Sequence, residues 1–248
     1  MYMNGDNTME KRIFWAGDST VKQNDYTCFP QTGMGQAFGL FTKRNVRIEN
    51  YAQNGRSTRS FIDEGRLAAI DRNINKGDFL FIQFGHNDEK PDEARHTDAF
   101  KDYQENLAKF IDVAKKHNAH PVLITPLYRR SFNEDGKTLV EKTHLDYPQA
   151  MIQLGGKLGV PVIDLCTKSK ELIEKAGTEV SKEWFIHVPA GKYPNFPDGK
   201  EDNSHLKYEG AYMFCMIVAK ELEQLGDIYN ELLLNSDEDS ENPELLID

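Results

Sequence analysis

The chain has 248 residues, 39% hydrophobic and 28% charged, with a formal net charge of -10 at pH 7; this suits one soluble α/β domain and excludes disordered and fibrous chains. No run approaches the roughly 18 uninterrupted apolar residues of a membrane span, and no basic stripe of the kind that grips nucleic acid is present. Three widely spaced cysteines, Cys28, Cys166 and Cys215, form no CxxC pair, which suits a reducing compartment and gives no sign of a disulfide framework or zinc site.

The polar start, Met1–Arg12, lacks the apolar core of a secretory signal. A cytoplasmic protein is expected, the alternative being a secreted one whose signal has been removed. Short apolar runs at Arg12–Ala16, Val46–Tyr51, Phe79–Phe84, Pro121–Thr125 and Val160–Asp164 predict five strands. The clearest helix between them is Asp98–His117, where Phe100, Tyr103, Leu107, Phe110, Ile111 and Ala114 recur at steps of three and four. Thr143–Leu158 and Tyr208–Leu225 predict two more. This alternation predicts a three-layer α/β/α sandwich on a five-stranded parallel sheet with right-handed crossovers, in one domain over 10–230. The stretch Gly177–Asn203, with Trp184, Phe185, Tyr193 and Phe196 and no sustained period, reads as a long aromatic loop of the functional kind. From Ser236 to Asp248 there are six acidic residues and no Lys or Arg, so 236–248 reads as a solvated, disordered tail.

Polar clusters fall where the predicted strands end. Gly17-Asp18-Ser19-Thr20 follows the first strand, at the edge where open parallel sheets bind ligands. Ser19 is placed there as a nucleophile, although Asp18 or Ser19 would equally suit a helix cap. After the second strand comes Gln53-Asn54-Gly55-Arg56-Ser57-Thr58, in which Asn54-Gly55 is a turn signal and the Gly55 amide can face the same crevice. The third strand runs into Gly85-His86-Asn87-Asp88, where Asn87 offers a carboxamide N–H to an oxyanion and His86 reads as site architecture. Asp202-Asn203-Ser204-His205 precedes the last helix. Acyl transfer from a serine needs an imidazole to take its proton and a carboxylate to orient that imidazole, and Asp202 and His205 are spaced to share one turn. The same spacing suits a metal or a plain surface turn, but no further ligand lies at metal-binding distance in sequence. Neither a metal nor an organic cofactor is expected.

In this order the four clusters resemble the SGNH (GDSL-like) hydrolase superfamily, from Ile13 to about Leu225. Within it the chain is most similar to rhamnogalacturonan acetylesterases, through Gly17–Val21, Asn54–Phe61, Gly85–Asp88, and Pro194–Gly199 leading to Asp202–His205. Ser204 and Leu206 depart from the Thr and Phe expected around the histidine. The resemblance implies a flavodoxin-like sandwich, Ser19 as nucleophile, His205 as base and Asp202 as its orienter. It also implies an oxyanion hole from the Ser19 and Gly55 amides with the Asn87 side chain. The implied substrate is an acetylated pectic oligosaccharide, with no nucleic-acid or membrane partner; oligomeric state is left open. Asp18, Arg56, His86, Trp184 and Tyr193 are candidate substrate contacts, and Arg56, Arg59 and Lys207 candidate counter-charges for galacturonate. The alternative is a short-chain esterase, thioesterase or lysophospholipase on the same fold. A non-catalytic sugar-binding module is disfavoured, having no need of a Ser-His-Asp set. Gly33, Gly35 and Gly39 do not form a nucleotide-binding motif.

Overall fold

The computed structural model describes residues 10–234, so the acidic stretch 236–248 lies outside the described residues. Five strands, β1 (Lys11–Gly17), β2 (Val46–Asn50), β3 (Phe79–Gln83), β4 (His120–Ile124) and β5 (Val162–Ile163), form one parallel sheet in the order β2-β1-β3-β4-β5. All five lie on the apolar runs that predict them. The fifth is short because Pro161 has no N–H to give: it only accepts from Leu123 N, at 3.0 Å, before regular pairing begins.

Both faces of the sheet are covered, which is why the central strand β3 reads as an unbroken apolar run, whereas the edge strand β2 keeps an alternating pattern. The covering helices are α1 (Met34–Ala37), α2 (Thr58–Asp63), α3 (Arg66–Asn73), α4 (Gln104–Lys116), α5 (Tyr147–Leu158), α6 (Leu165–Lys182) and α7 (Tyr208–Leu225). Ile13 and Trp15 of β1 pack with Met34, Ile173 and Phe214 from α1, α6 and α7. Phe14 and Ala16, one residue out of phase, pack with Phe61, Ile70, Phe110 and Met151 from α2 to α5. The layers are those expected of an α/β/α sandwich.

Two predicted helices differ at their starts. Before α4 the chain makes a wide turn over Ala99–Tyr103, in which Tyr103 N donates to Asp98 O, five residues back, at 3.1 Å. This shifts the phase of the apolar stripe and leaves Phe100 52% exposed, outside the core assigned to it from periodicity. The helix expected from Thr143 begins only at Tyr147, because Lys142 and Leu145 have left-handed backbone (φ 50° and 49°) that a helix cannot contain. α7 spans its predicted residues.

The aromatic stretch Gly177–Asn203 is not one loop. Its start belongs to α6, which breaks at Gly177. The remainder forms an antiparallel hairpin, β6 (Phe185–Val188) with β7 (Lys200–Leu206). Phe185 pairs with Leu206, yet the next residue, Ile186, pairs with Asp202, so Asn203, Ser204 and His205 bulge out opposite one peptide step.

Candidate active site

Strand order reverses between β1 and β3, and the crevice beyond their carboxyl ends is where such sheets bind ligands. The Gly17–Thr20 turn enters this crevice and is held tightly. Asp18 Oδ1 accepts from Thr20 N and Thr20 Oγ1, both at 2.9 Å. Met34 N donates to Thr20 O at 2.8 Å, and Gly35 N and Asn50 Nδ2 donate to Val21 O at 3.0 and 2.9 Å. A Cβ at Gly33 would lie 2.1 Å from Lys22 O, and one at Gly35 2.4 Å from Asn50 Nδ2. These two glycines therefore let α1 press against the Ser19 turn.

The second and third clusters are tied to each other. Asp88 Oδ1 accepts from Thr58 N at 2.9 Å and Thr58 Oγ1 at 2.5 Å, linking the end of β3 to the first turn of α2. Burial pushes this carboxyl up to about 7, against the Thr58 and Thr97 hydrogen bonds. Gly85 takes φ +141°, where a Cβ would also lie 2.7 Å from Pro126 Cγ. Asn87 Nδ2 donates to Arg56 O at 3.1 Å, so its carboxamide lies against the Gly55–Arg56 turn. Gly55 itself is left-handed, at φ +75°. Among the described residues the Ser19 and Gly55 N–H groups have no hydrogen-bond partner, and one Asn87 Nδ2 hydrogen is also free.

The bulge on β7 faces this crevice. His205 Nε2 lies 2.9 Å from Ser19 Oγ, and His205 Nδ1 lies 2.7 Å from Asp202 Oδ2. Asp202 Oδ1 accepts the Ser204 and His205 backbone N–H groups at 2.8 and 2.9 Å, and Lys200 Nζ lies 3.1 Å from Oδ2. Burial acts to raise the Asp202 pKa. The His205 hydrogen bond and charge, with the two backbone donors, outweigh it and hold the carboxyl below the ordinary carboxylate range. An ionised carboxylate only accepts, so Nδ1 carries a proton, and in the neutral ring Nε2 is left as the acceptor for the Ser19 hydroxyl. Such a line can remove a hydroxyl proton as the oxygen attacks a carbonyl.

The other candidate substrate contacts and counter-charges lie as follows. Trp184 is 8% exposed, stacked edge-on against Phe214 at 5.9 Å, with Gly210 of α7 packed on its backbone, so it belongs to the core and not to a substrate wall. Asp18 is 1% exposed and braces the turn; burial pushes its carboxyl up. His86 is buried, its ring 4.3 Å from that of His144. Burial, with His144, Arg129 and His205 nearby, holds its imidazole well below the usual histidine range, consistent with site architecture. Arg56 pairs with Glu64 at 2.8 Å, as Arg59 does with Asp102 at 3.0 Å and Lys207 with Glu183 at 2.8 Å. All three cations read as counter-charges for galacturonate thus already have carboxylate partners.

Tyr193 remains on the surface at the tip of the hairpin, its ring 5.5 Å from that of Phe29. Asn195 Nδ2 donates to Tyr26 O and Phe29 O at 2.8 and 3.0 Å, clasping the tip to the segment after the Ser19 turn, where Tyr26 is 86% exposed. Sequence reasoning missed Lys200, which shares a strand face with Asp202 two residues on, a period visible only once β7 is recognised as a strand.

The pattern of the family described as GDSL-like lipase/acylhydrolase matches residues 13–213. The chain is 45% identical over 215 residues to the rhamnogalacturonan acetylesterase RhgT of Bacillus subtilis, covering 87% of this chain and 90% of that protein. It is 36% identical over 222 residues to a probable rhamnogalacturonan acetylesterase, YesY, of the same organism, covering 88% and 95%. The crystal structure of Bacillus subtilis YxiM superposes with a TM-score of 0.75 at 24% identity, covering 88% of this chain and 57% of that longer one, a likeness of fold. No described helix is long and apolar enough to cross a membrane. With its motifs gathered at one crevice of a parallel sheet and the family pattern running through most of its length, the chain belongs to the GDSL-like lipase/acylhydrolase family of ester hydrolases.

Proposed function

We propose that this protein is a serine carbohydrate esterase that removes O-acetyl groups from rhamnogalacturonan oligosaccharides, acting as one hydrolase domain over 10–230. The observation that carries the reading is the unbroken line from Ser19 Oγ through His205 to Asp202, at 2.9 and 2.7 Å. Ser19 Oγ attacks the acetyl carbonyl while His205 Nε2 takes its proton. The tetrahedral oxyanion is received by the Ser19 and Gly55 amides and the Asn87 side chain. Collapse breaks the ester bond; His205 returns the proton to the leaving sugar oxygen, and acetyl-Ser19 remains. Water, losing a proton to His205, then attacks acetyl-Ser19; collapse breaks the bond to Ser19 Oγ, His205 returns the proton to that oxygen, and acetate is freed. Asp202 stays ionised throughout and stabilises the imidazolium that forms twice. No step calls for a metal or organic cofactor.

The relatives' substrate supports the pectic assignment, as do the surface aromatics Tyr26, Phe29 and Tyr193, against which sugar rings can lie. Three free thiols, two of them buried, support a cytoplasmic site of action on imported oligosaccharides. The test is acetate release from acetylated rhamnogalacturonan oligosaccharides beside acetylated xylan and p-nitrophenyl esters of rising acyl length. Preference for the pectic substrate is expected. Activity that climbs with acyl length and ignores the oligosaccharide would instead make this a short-chain acyl esterase.

A further inference from the structure

The acyl-transfer steps leave the buried Arg130 without a role. Arg130, 8% exposed, follows the loop after β4 and donates from Nε to Ser181 Oγ at 2.9 Å and from one terminal nitrogen to Thr178 O, both on α6. Ser181 Oγ donates in turn to Gly177 O at 2.6 Å, where α6 breaks. The other terminal nitrogen of Arg130 donates to Asn203 Oδ1 at 3.1 Å, and the Arg130 main-chain N–H donates to Asn203 O at 2.9 Å. One residue thus holds both carbonyl oxygens of Asn203.

His187 Nε2 lies 2.8 Å from the same Asn203 Oδ1. A guanidinium only donates, so the Asn203 atom facing it is the oxygen, and His187 must then be the second donor to that oxygen. Asn203 is the first residue of the bulge, with Asp202 before it and His205 two residues after. No regular ladder pairing fixes Asn203–His205 to β6; Asp202 Oδ1 holds the turn together from inside, and the tie from the bulge to Arg130 and His187 runs through Asn203.

We propose that Arg130, acting through Asn203 with His187 as second donor, is the positioning residue that sets where His205 stands relative to Ser19. This rests on the reading of His205 and Asp202 as the base and its orienter. A base displaced by about an ångström can cost on the order of a hundredfold in rate, so the tie acts on kcat and not on substrate binding. If Arg130 merely joined α6 to its neighbouring loop, loosening it would lower stability alone.

The test is Asn203→Ala and Arg130→Lys, compared with wild type at a temperature where all are folded. The readouts are kcat, KM, the thermal midpoint and the low-field proton resonance of His205 Nδ1–H. The expected result for Asn203→Ala is a kcat lowered on the order of tenfold or more, little change in KM, and a broadened or lost low-field proton. If that variant does not fold, Arg130→Lys, which keeps the charge without the fork, decides by the same criteria. Wild-type kcat per folded molecule with the low-field proton unchanged, whatever the midpoint, would overturn the proposal. Ser19→Ala is run alongside: turnover surviving there would overturn the acyl-transfer reading itself. An inactive Ser19→Ala with an unimpaired Asn203→Ala would overturn only the role of Arg130.

Discussion

Asp202 and His205 face each other across a bulge of their own strand, with carboxylate Oδ2 2.7 Å from imidazole Nδ1. Spacing alone would allow many geometries for a pair three residues apart. Here the other oxygen, Oδ1, accepts the backbone N–H groups of Ser204 and His205, so the carboxylate organises the turn that presents the imidazole. One side chain therefore fixes both the tautomer of the ring and the local turn that carries it.

The first prediction follows from that double use. Asp202→Asn keeps the Oδ1 contacts but sets a carboxamide against Nδ1, favouring the tautomer whose Nε2 carries the proton. Turnover should fall on the order of 10⁴-fold with the fold retained. Steady-state kinetics and circular dichroism of the variant check both halves.

Removing the Asn87 carboxamide takes one donor from the oxyanion site and its contact with Arg56 O. Asn87→Ala should lower kcat by about 10²- to 10³-fold, with a smaller change in KM. Normal turnover would remove Asn87 from the site.

Asp88 makes stability depend on pH in a stated direction. The unfolded carboxyl ionises near pH 4, whereas burial in the fold pushes it up to about 7. Between these values the folded state binds the extra proton, so this group's contribution to stability falls as pH rises through the window and levels off above it. Asp88→Asn keeps an oxygen for Thr58 and cannot ionise. Its thermal midpoint, relative to wild type, should therefore rise between about pH 5 and about pH 8. A difference that shrinks over that range would contradict the assignment.

Two aromatics from the same stretch should separate cleanly. Trp184→Ala opens the core against Phe214 and should cost about 3–5 kcal/mol in denaturant unfolding, with KM little changed for the molecules that fold. Tyr193→Ala, at the hairpin tip, should leave stability nearly intact and raise KM for the oligosaccharide but not for p-nitrophenyl acetate.

What could be read from sequence follows physical lines. The central strand was legible because both its faces are buried, and a run such as Phe79–Ile82 then has no polar position to blur it; the edge strand Val46–Asn50 was legible from its alternation instead. The clusters at Ser19, Gly55 and Asn87 were legible because strand ends and glycine turns locate the crevice. The β6–β7 hairpin was hidden for the opposite reason: Lys200-Glu201-Asp202-Asn203 serves the site and violates the apolar alternation of a strand. Trp184 misled because an aromatic in a polar stretch can face sugar or core alike, and only the approach of Gly210 distinguishes them. The pairing of Arg56, Arg59 and Lys207 with Glu64, Asp102 and Glu183 was not legible, because those partners meet them only in the folded chain. The tie from Arg130 to Asn203 joins residues 73 apart, with no local pattern to betray it.

The most direct test of the central claim is acetate release from acetylated rhamnogalacturonan oligosaccharides by wild type and Ser19→Ala under identical conditions. If Ser19 Oγ, 2.9 Å from His205 Nε2, is the nucleophile, the variant should lose at least on the order of 10³-fold in kcat while remaining folded. A folded Ser19→Ala that releases acetate at the wild-type rate would contradict the serine mechanism and the roles of Asp202 and His205 with it.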